Sequence, residues 1–132
     1  MYNKSLREQV GYQVARINHI LNVDLGARLK PMGISVDQCR ILSCLTEAGR
    51  LPMGELAARV FVEPANLTKI IDKMTSESLV MRVPDDKDRR RVLVALATAG
   101  IAKNTAIESI LEEHEEFARK TLTSQYGHLA LI

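Results

Sequence analysis

Two stretches of this chain hold side chains whose types and spacing suit contact with duplex DNA. The first is Pro64, Ala65, Asn66, Thr68 and Lys69, at the start of a predicted helix, with Lys73 one turn further on. Asn can bond adenine through two hydrogen bonds, Lys can reach guanine, Thr serves either, and Ala can touch a thymine methyl. Lys73 is better placed for a phosphate. The second stretch is Asp85-Asp86-Lys87-Asp88-Arg89-Arg90-Arg91. A run of arginines beside aspartates crowds like charges and is an expensive way to decorate a turn. The narrow minor groove, with its concentrated negative potential, explains such arginines. Asp88 can hold Arg90 by a charge-assisted pair two residues along the turn. A lone amphipathic helix with solvated polar residues would look like the first stretch alone. The basic turn immediately downstream decides between the two.

Stepping outward, Met53 to Val60 reads as a short helix ending near the small pair Ala57-Ala58. Phe61-Val62-Glu63-Pro64 turns into a second helix over Glu63 to Glu77, with Pro64 suited to the first helical position. Leu67, Ile70, Ile71 and Met74 form its inward face, and Asn66, Lys69 and Lys73 lie opposite. Leu79 to Val83 and Val92 to Leu96 are strand-like and flank the charged tip. Helix, turn, helix and basic hairpin make a winged helix-turn-helix. The expected fold is mainly α, with a two-stranded wing hairpin and N- and C-terminal dimerisation helices.

The flanks follow the same logic. Leu6, Val10, Val14, Ile17, Leu21 and Leu25 recur at steps of three and four, which predicts a long helix over residues 4 to 29. Tyr2, Tyr12 and Ile20 fall off that stripe, so either the stripe is broad or a partner buries a second surface. Lys30-Pro31-Met32-Gly33 stops the helix. Ser35 and Gln38 form a capping box. The helix it opens carries Ile41, Leu42 and Leu45 inward and ends at Gly49. Arg50-Leu51-Pro52 can add a very short strand. Thr98 can cap a further helix, with Ile101, Ile107, Ile110, Leu111, Phe117 and Ala118 inward. Leu122-Thr123-Ser124 suggests a break before a last short helix over Gln125 to Ile132. The organisation read here is one domain over 1–132, with 34–97 as the DNA-binding lobe and 1–30 and 98–132 as dimerisation helices.

Composition excludes several classes. At 46% hydrophobic and 26% charged, the chain has the material for a core and is not a disordered one. Aromatics are 4% with no Trp, which argues against a single-strand binder that stacks bases on rings. The net charge of +2 matters less than its distribution. Arg82, Lys87 and Arg89 to Arg91 face a run of Glu108, Glu112, Glu113, Glu115 and Glu116 further along the chain, so one end meets phosphate and the other repels it. No apolar run has membrane-spanning length, and the N-terminus lacks a signal-peptide core, so a cytoplasmic protein without a membrane partner is expected.

From Ile34 to Gly100 the chain resembles the MarR family of bacterial transcription regulators. The resemblance rests on Ile34-Ser35-Val36-Asp37-Gln38, Glu55-Leu56-Ala57, Asn66 to Met74, Leu79-Val80, and the wing tip Asp85 to Val94 with its Asp88-x-Arg90 element. It implies a homodimer on a pseudo-palindromic operator, with recognition helices in successive major grooves and wings in flanking minor grooves. It usually implies repression relieved by a small-molecule effector, seated in a cleft between the dimerisation helices and the DNA-binding lobe, or by cysteine oxidation. Ser78 stands where the family usually has Gly after the recognition helix, and a left-handed backbone costs Ser more. Pro52 stands where a capping Ser or Thr is common.

The remaining reactive residues point to no chemistry. His19, His114 and His128 are scattered, no Cys/His cluster has zinc-ligand spacing, and no cofactor or metal is expected. Cys39 and Cys44 project to different helix faces and should not pair with each other. A thiol sensor is one alternative reading; buried structural cysteine is the plainer one. The glutamates form a solvated face, and no nucleophile, phosphate loop or carboxylate pair suggests an enzyme. A winged helix that binds protein in place of DNA is the other alternative.

Overall fold

Ser35 and Gln38 set the start of the first helix of the central unit. In the computed structural model, which describes residues 1–126, the Gln38 N–H donates to Ser35 Oγ at 3.1 Å and the Ser35 N–H donates to Gln38 Oε1 at 2.9 Å. The predicted capping box forms. Helix α1 spans Val10–Leu29 and α2 spans Val36–Ala48. Ile41, Leu42 and Leu45 of α2 are buried, and Gly49 ends the helix at φ +83, where a side chain would be strained.

Strand β1 (Arg50–Pro52) leads directly into α3 (Met53–Val60). Pro52 precedes α3 in extended conformation and supplies no side-chain cap. Helix α4 spans Pro64–Ser76 and begins at Pro64. Strands β2 (Val80–Pro84) and β3 (Val92–Leu96) form the hairpin, and β1 adds to β3, so the antiparallel sheet has the order β1-β3-β2. Val94 faces Leu51 on one side and Arg82 on the other, at the buried centre of the sheet. α2, α3 and α4 pack in sequence, with Leu42, Leu56, Leu67, Ile71 and Met74 closing the core. Each such side chain contributes about 1.5–3 kcal/mol when fully buried.

Helix α5 (Thr98–Ala106) belongs to the same compact unit, which runs from Ile34 to Glu108. Its start is tight: the Ala97 N–H donates to the Leu79 carbonyl at 3.0 Å, and a Cβ at Gly100 would collide with that carbonyl oxygen. The other unit comprises Met1–Gly33 and the residues from Ser109 on, and so holds α1 and nearly all of α6 (Glu108–Tyr126). In it, Ile17, Leu25, Leu29, His114, Ala118 and Thr121 are buried.

Several expectations need correction. The first helix starts at Val10, not near residue 4. Leu6–Glu8 form a 3-10 turn, Gln9 is extended, and the Gln13 side chain donates to the Arg7 carbonyl at 2.8 Å. Leu6, Val10 and Val14, expected inward, are 57%, 55% and 44% exposed in the single chain. Thr98 is the first helical residue and not the cap; Ala97 holds that place without a side-chain bond. The helix that follows breaks at Ile107, whose buried side chain anchors the junction, and Ile101 is 57% exposed. No break occurs at Leu122-Thr123-Ser124, because α6 runs on to Tyr126. Residues 127–132 of the expected last helix lie outside the described residues.

Among the described residues, no helix is long and apolar enough to cross a membrane.

Candidate nucleic-acid interface

Helix α4 separates its two faces as its sequence dictates. Leu67, Ile71 and Met74, at steps of four and three, are buried. Pro64, Ala65, Asn66, Thr68, Lys69 and Lys73 are all exposed. The helix N-terminus thus offers apolar, amide and ammonium groups together. Thr68 Oγ1 donates back to the Pro64 carbonyl at 3.2 Å, which leaves its methyl and its lone pairs outward.

The turn before α4 is held from below. Both Phe61 and Val62 donate backbone N–H groups to the Ala57 carbonyl, and Phe61 adopts a left-handed φ of +58. Ala57 is buried while Ala58 is exposed, so only one of the small pair serves packing. Phe61 itself is 93% exposed. No periodic signal in the sequence distinguishes it from a core phenylalanine.

At the wing tip the aspartates build the turn and the arginines leave it. Asp85 Oδ1 accepts the Lys87 N–H at 2.9 Å, and Asp88 Oδ1 accepts the Arg90 N–H at 3.0 Å. The Arg91 N–H donates to the Asp88 carbonyl at 3.0 Å, and the Asp85 N–H to the Arg91 carbonyl at 3.2 Å. Arg90 Nε lies 3.4 Å from Asp88 Oδ1, yet its side chain is 92% exposed. Arg91 Nε lies 3.7 Å from Asp85 Oδ2. Asp88 is therefore a turn-forming residue beside Arg90, and Lys87, Arg89, Arg90 and Arg91 are all exposed, with Arg90 the more open of the two paired arginines.

Wing and recognition helix are linked by a pair the sequence reading missed. Arg82 Nη2 of β2 donates to Asp72 Oδ1 of α4 at 2.6 Å. Alternation along β2 was the available signal. Arg82 shares the face of buried Val80 and opposes buried Val94, which puts it on the same side of the sheet as α4.

This geometry is that of a helix-turn-helix with a basic wing. The MarR family model matches residues 34–92. The multiple antibiotic resistance protein MarR of Escherichia coli strain K12 is 30% identical over 125 residues, 90% of this chain and 87% of that protein. This chain belongs to the MarR family. It is a DNA-binding transcription regulator with the family's winged fold. An uncharacterised regulator of Bacillus subtilis, YsmB, is 31% identical over 83 residues, and the match spans 55% of that protein's length. A crystal structure of a mutant Escherichia coli MarR complexed with operator DNA superposes with a TM-score of 0.79 at 26% identity. It covers 91% of this chain and 86% of that one.

Other reactive side chains of this MarR-family chain lie outside α4 and the wing. Cys39 and Cys44 are both free thiols. Burial pushes the Cys39 thiol up, which disfavours the reactive thiolate. No group of three or more metal-ligating side chains exists among the described residues. His114 is not an isolated histidine: its Nδ1 lies 2.8 Å from Asp24 Oδ2, which also accepts from Arg28 Nε at 2.8 Å. Arg28 Nη1 reaches Glu113 at 3.2 Å. Burial raises the Asp24 carboxyl, but the hydrogen bonds from Arg28 and His114 outweigh it and hold the group below its ordinary range. The sequence reading missed this cluster because its members lie far apart in the chain.

Proposed function

We propose that the chain acts in the cytoplasm as a homodimeric repressor of a pseudo-palindromic operator, released by a small-molecule effector. One observation carries the reading: the exposed polar face of α4 is tied through Asp72 and Arg82 to a wing whose arginines point outward. Asn66 and Lys69 then read base edges in the major groove, Lys73 meets phosphate, and Arg89 and Arg90 enter the adjoining minor groove. A single copy makes too few contacts to select one chromosomal site. Two copies would place their helices about 34 Å apart, one helical turn. Exposed Tyr2, Leu6, Val10 and Val14 favour a second copy as the cover for the N-terminal segment.

Sequencing genomic fragments retained by the purified protein tests the proposal. Recovered fragments should share an inverted repeat with half-sites one helical turn apart. Fragments without any shared sequence would refute it.

A further inference from the structure

One groove in the central unit fits none of the roles above. It encloses about 460 Å³ between the end of α2, the outer face of the sheet and α5. Its floor is a row across the three strands: Arg50 of β1 pairs with Ala95 of β3, which pairs with Met81 of β2. Directly paired residues share a face, so Arg50 and Met81 flank Ala95 on one side of the sheet. The opposite wall is Ile101, Asn104 and Thr105 of α5, at helical steps of three and four, with Glu108 just beyond the break at Ile107.

The groove is unfinished as a piece of protein. Met81 and Ile101 leave apolar surface uncovered, at 43% and 57% exposure. Asn104 Oδ1 is buried without a hydrogen-bond partner, which native interiors rarely tolerate. Arg50 and Glu108 line the same groove with opposite charges, yet they form no salt bridge with each other. An anion alone would face Glu108, and a cation alone would face Arg50. A molecule carrying both charges on an apolar body satisfies each wall.

We infer that this groove is a binding site for a small zwitterion with an apolar body, of the amino-acid or dipeptide class. Its carboxylate faces Arg50, its ammonium N–H groups face Glu108 and the Asn104 side chain, and its side chains cover Met81 and Ile101. The volume lies within the usual range for small-molecule sites. As the effector site it rests on the effector-released repressor reading, and it places that effector wholly inside the DNA-binding unit.

The test is calorimetric titration of the full chain with leucine, leucyl-leucine and leucyl-phenylalanine, beside N-acetyl-leucine and leucinamide. Saturable binding by at least one zwitterion is expected at or below about 10 mM, with the single-charge analogues at least about tenfold weaker. Arg50→Gln and Asn104→Leu, each checked for an unchanged melting curve, should weaken it by about tenfold or more. No saturable binding by any zwitterion, or binding indifferent to both substitutions, overturns the site. Fluorescence anisotropy of a selected DNA fragment separates the two readings. If the zwitterion binds as described but leaves DNA affinity unchanged, the site stands and its effector role falls.

Discussion

Arg82 on the hairpin and Asp72 on α4 meet at 2.6 Å, so the two elements share one fixed point. Both side chains are substantially exposed, at 37% and 62%. An exposed pair of this kind contributes about 0–1 kcal/mol to stability. Its value lies in setting the angle at which the wing leaves α4. Arg82→Asp should leave thermal unfolding nearly unchanged and weaken DNA binding. The double exchange Asp72→Arg with Arg82→Asp should recover part of that affinity. Failure of the exchange to improve on Arg82→Asp would remove the positioning role.

Arg90 and Asn66 separate affinity from sequence choice. Arg90→Ala should weaken binding to all sequences, with stability held within about 0.5 kcal/mol because the side chain is exposed. Asn66→Ala should cost about 1–3 kcal/mol on the preferred sequence and much less on others. Anisotropy titrations on preferred and scrambled duplexes decide it. Equal losses on both duplexes for both variants would contradict the division.

Two backbone positions give stability predictions of opposite sign. Ser78 holds a left-handed φ of +61 between α4 and β2. Ser78→Gly should raise stability by up to about 1 kcal/mol, since the strain is relieved at some entropic cost. Gly100→Ala should lower it by about 2–4 kcal/mol, because the new Cβ would collide with the Leu79 backbone carbonyl and crowd the Leu96 side chain. Urea unfolding of both variants provides the check, and a stabilising Gly100→Ala would contradict the packing described.

Asp24 predicts an acid-labile contribution. Its carboxyl is held below its ordinary range, so it binds a proton less readily when folded than when unfolded. The contribution is complete above the ordinary Asp value of about 3.9 and disappears as pH falls through that value and below. Between about pH 5 and about pH 3 the parent should lose more stability than Asp24→Asn. Parallel declines in urea midpoint would show that the cluster with His114 and Arg28 adds nothing.

Local signals carried most of the central unit. Ser35 and Gln38 announced α2, Gly49 its end, Pro64 the start of α4, and alternation around the charged tip gave the hairpin. The flanks were less legible for definable reasons. Residues 4 to 9 have ordinary helix formers, so nothing local marks the extended Gln9. The break at Ile107 has neither Gly nor Pro, so no local residue type marks it. Leu122-Thr123-Ser124 breaks helices only weakly, and α6 overrides it. The exposure of the polar residues of α4 was readable because it follows from helical period. Alternation along β2 set the face on which Arg82 lies but did not point to Asp72, and nothing periodic marked the Asp24–His114 pair.

Salt dependence tests the central claim most directly. The parent chain and Arg90→Ala would be titrated onto one selected duplex by fluorescence anisotropy, from low to physiological salt. The logarithm of affinity should fall steeply and linearly with the logarithm of salt, and Arg90→Ala should flatten the slope, because each protomer then brings one cation fewer to displace counterions. An affinity that ignores salt, or a slope that Arg90→Ala leaves unchanged, would contradict a wing and helix that grip the DNA backbone together.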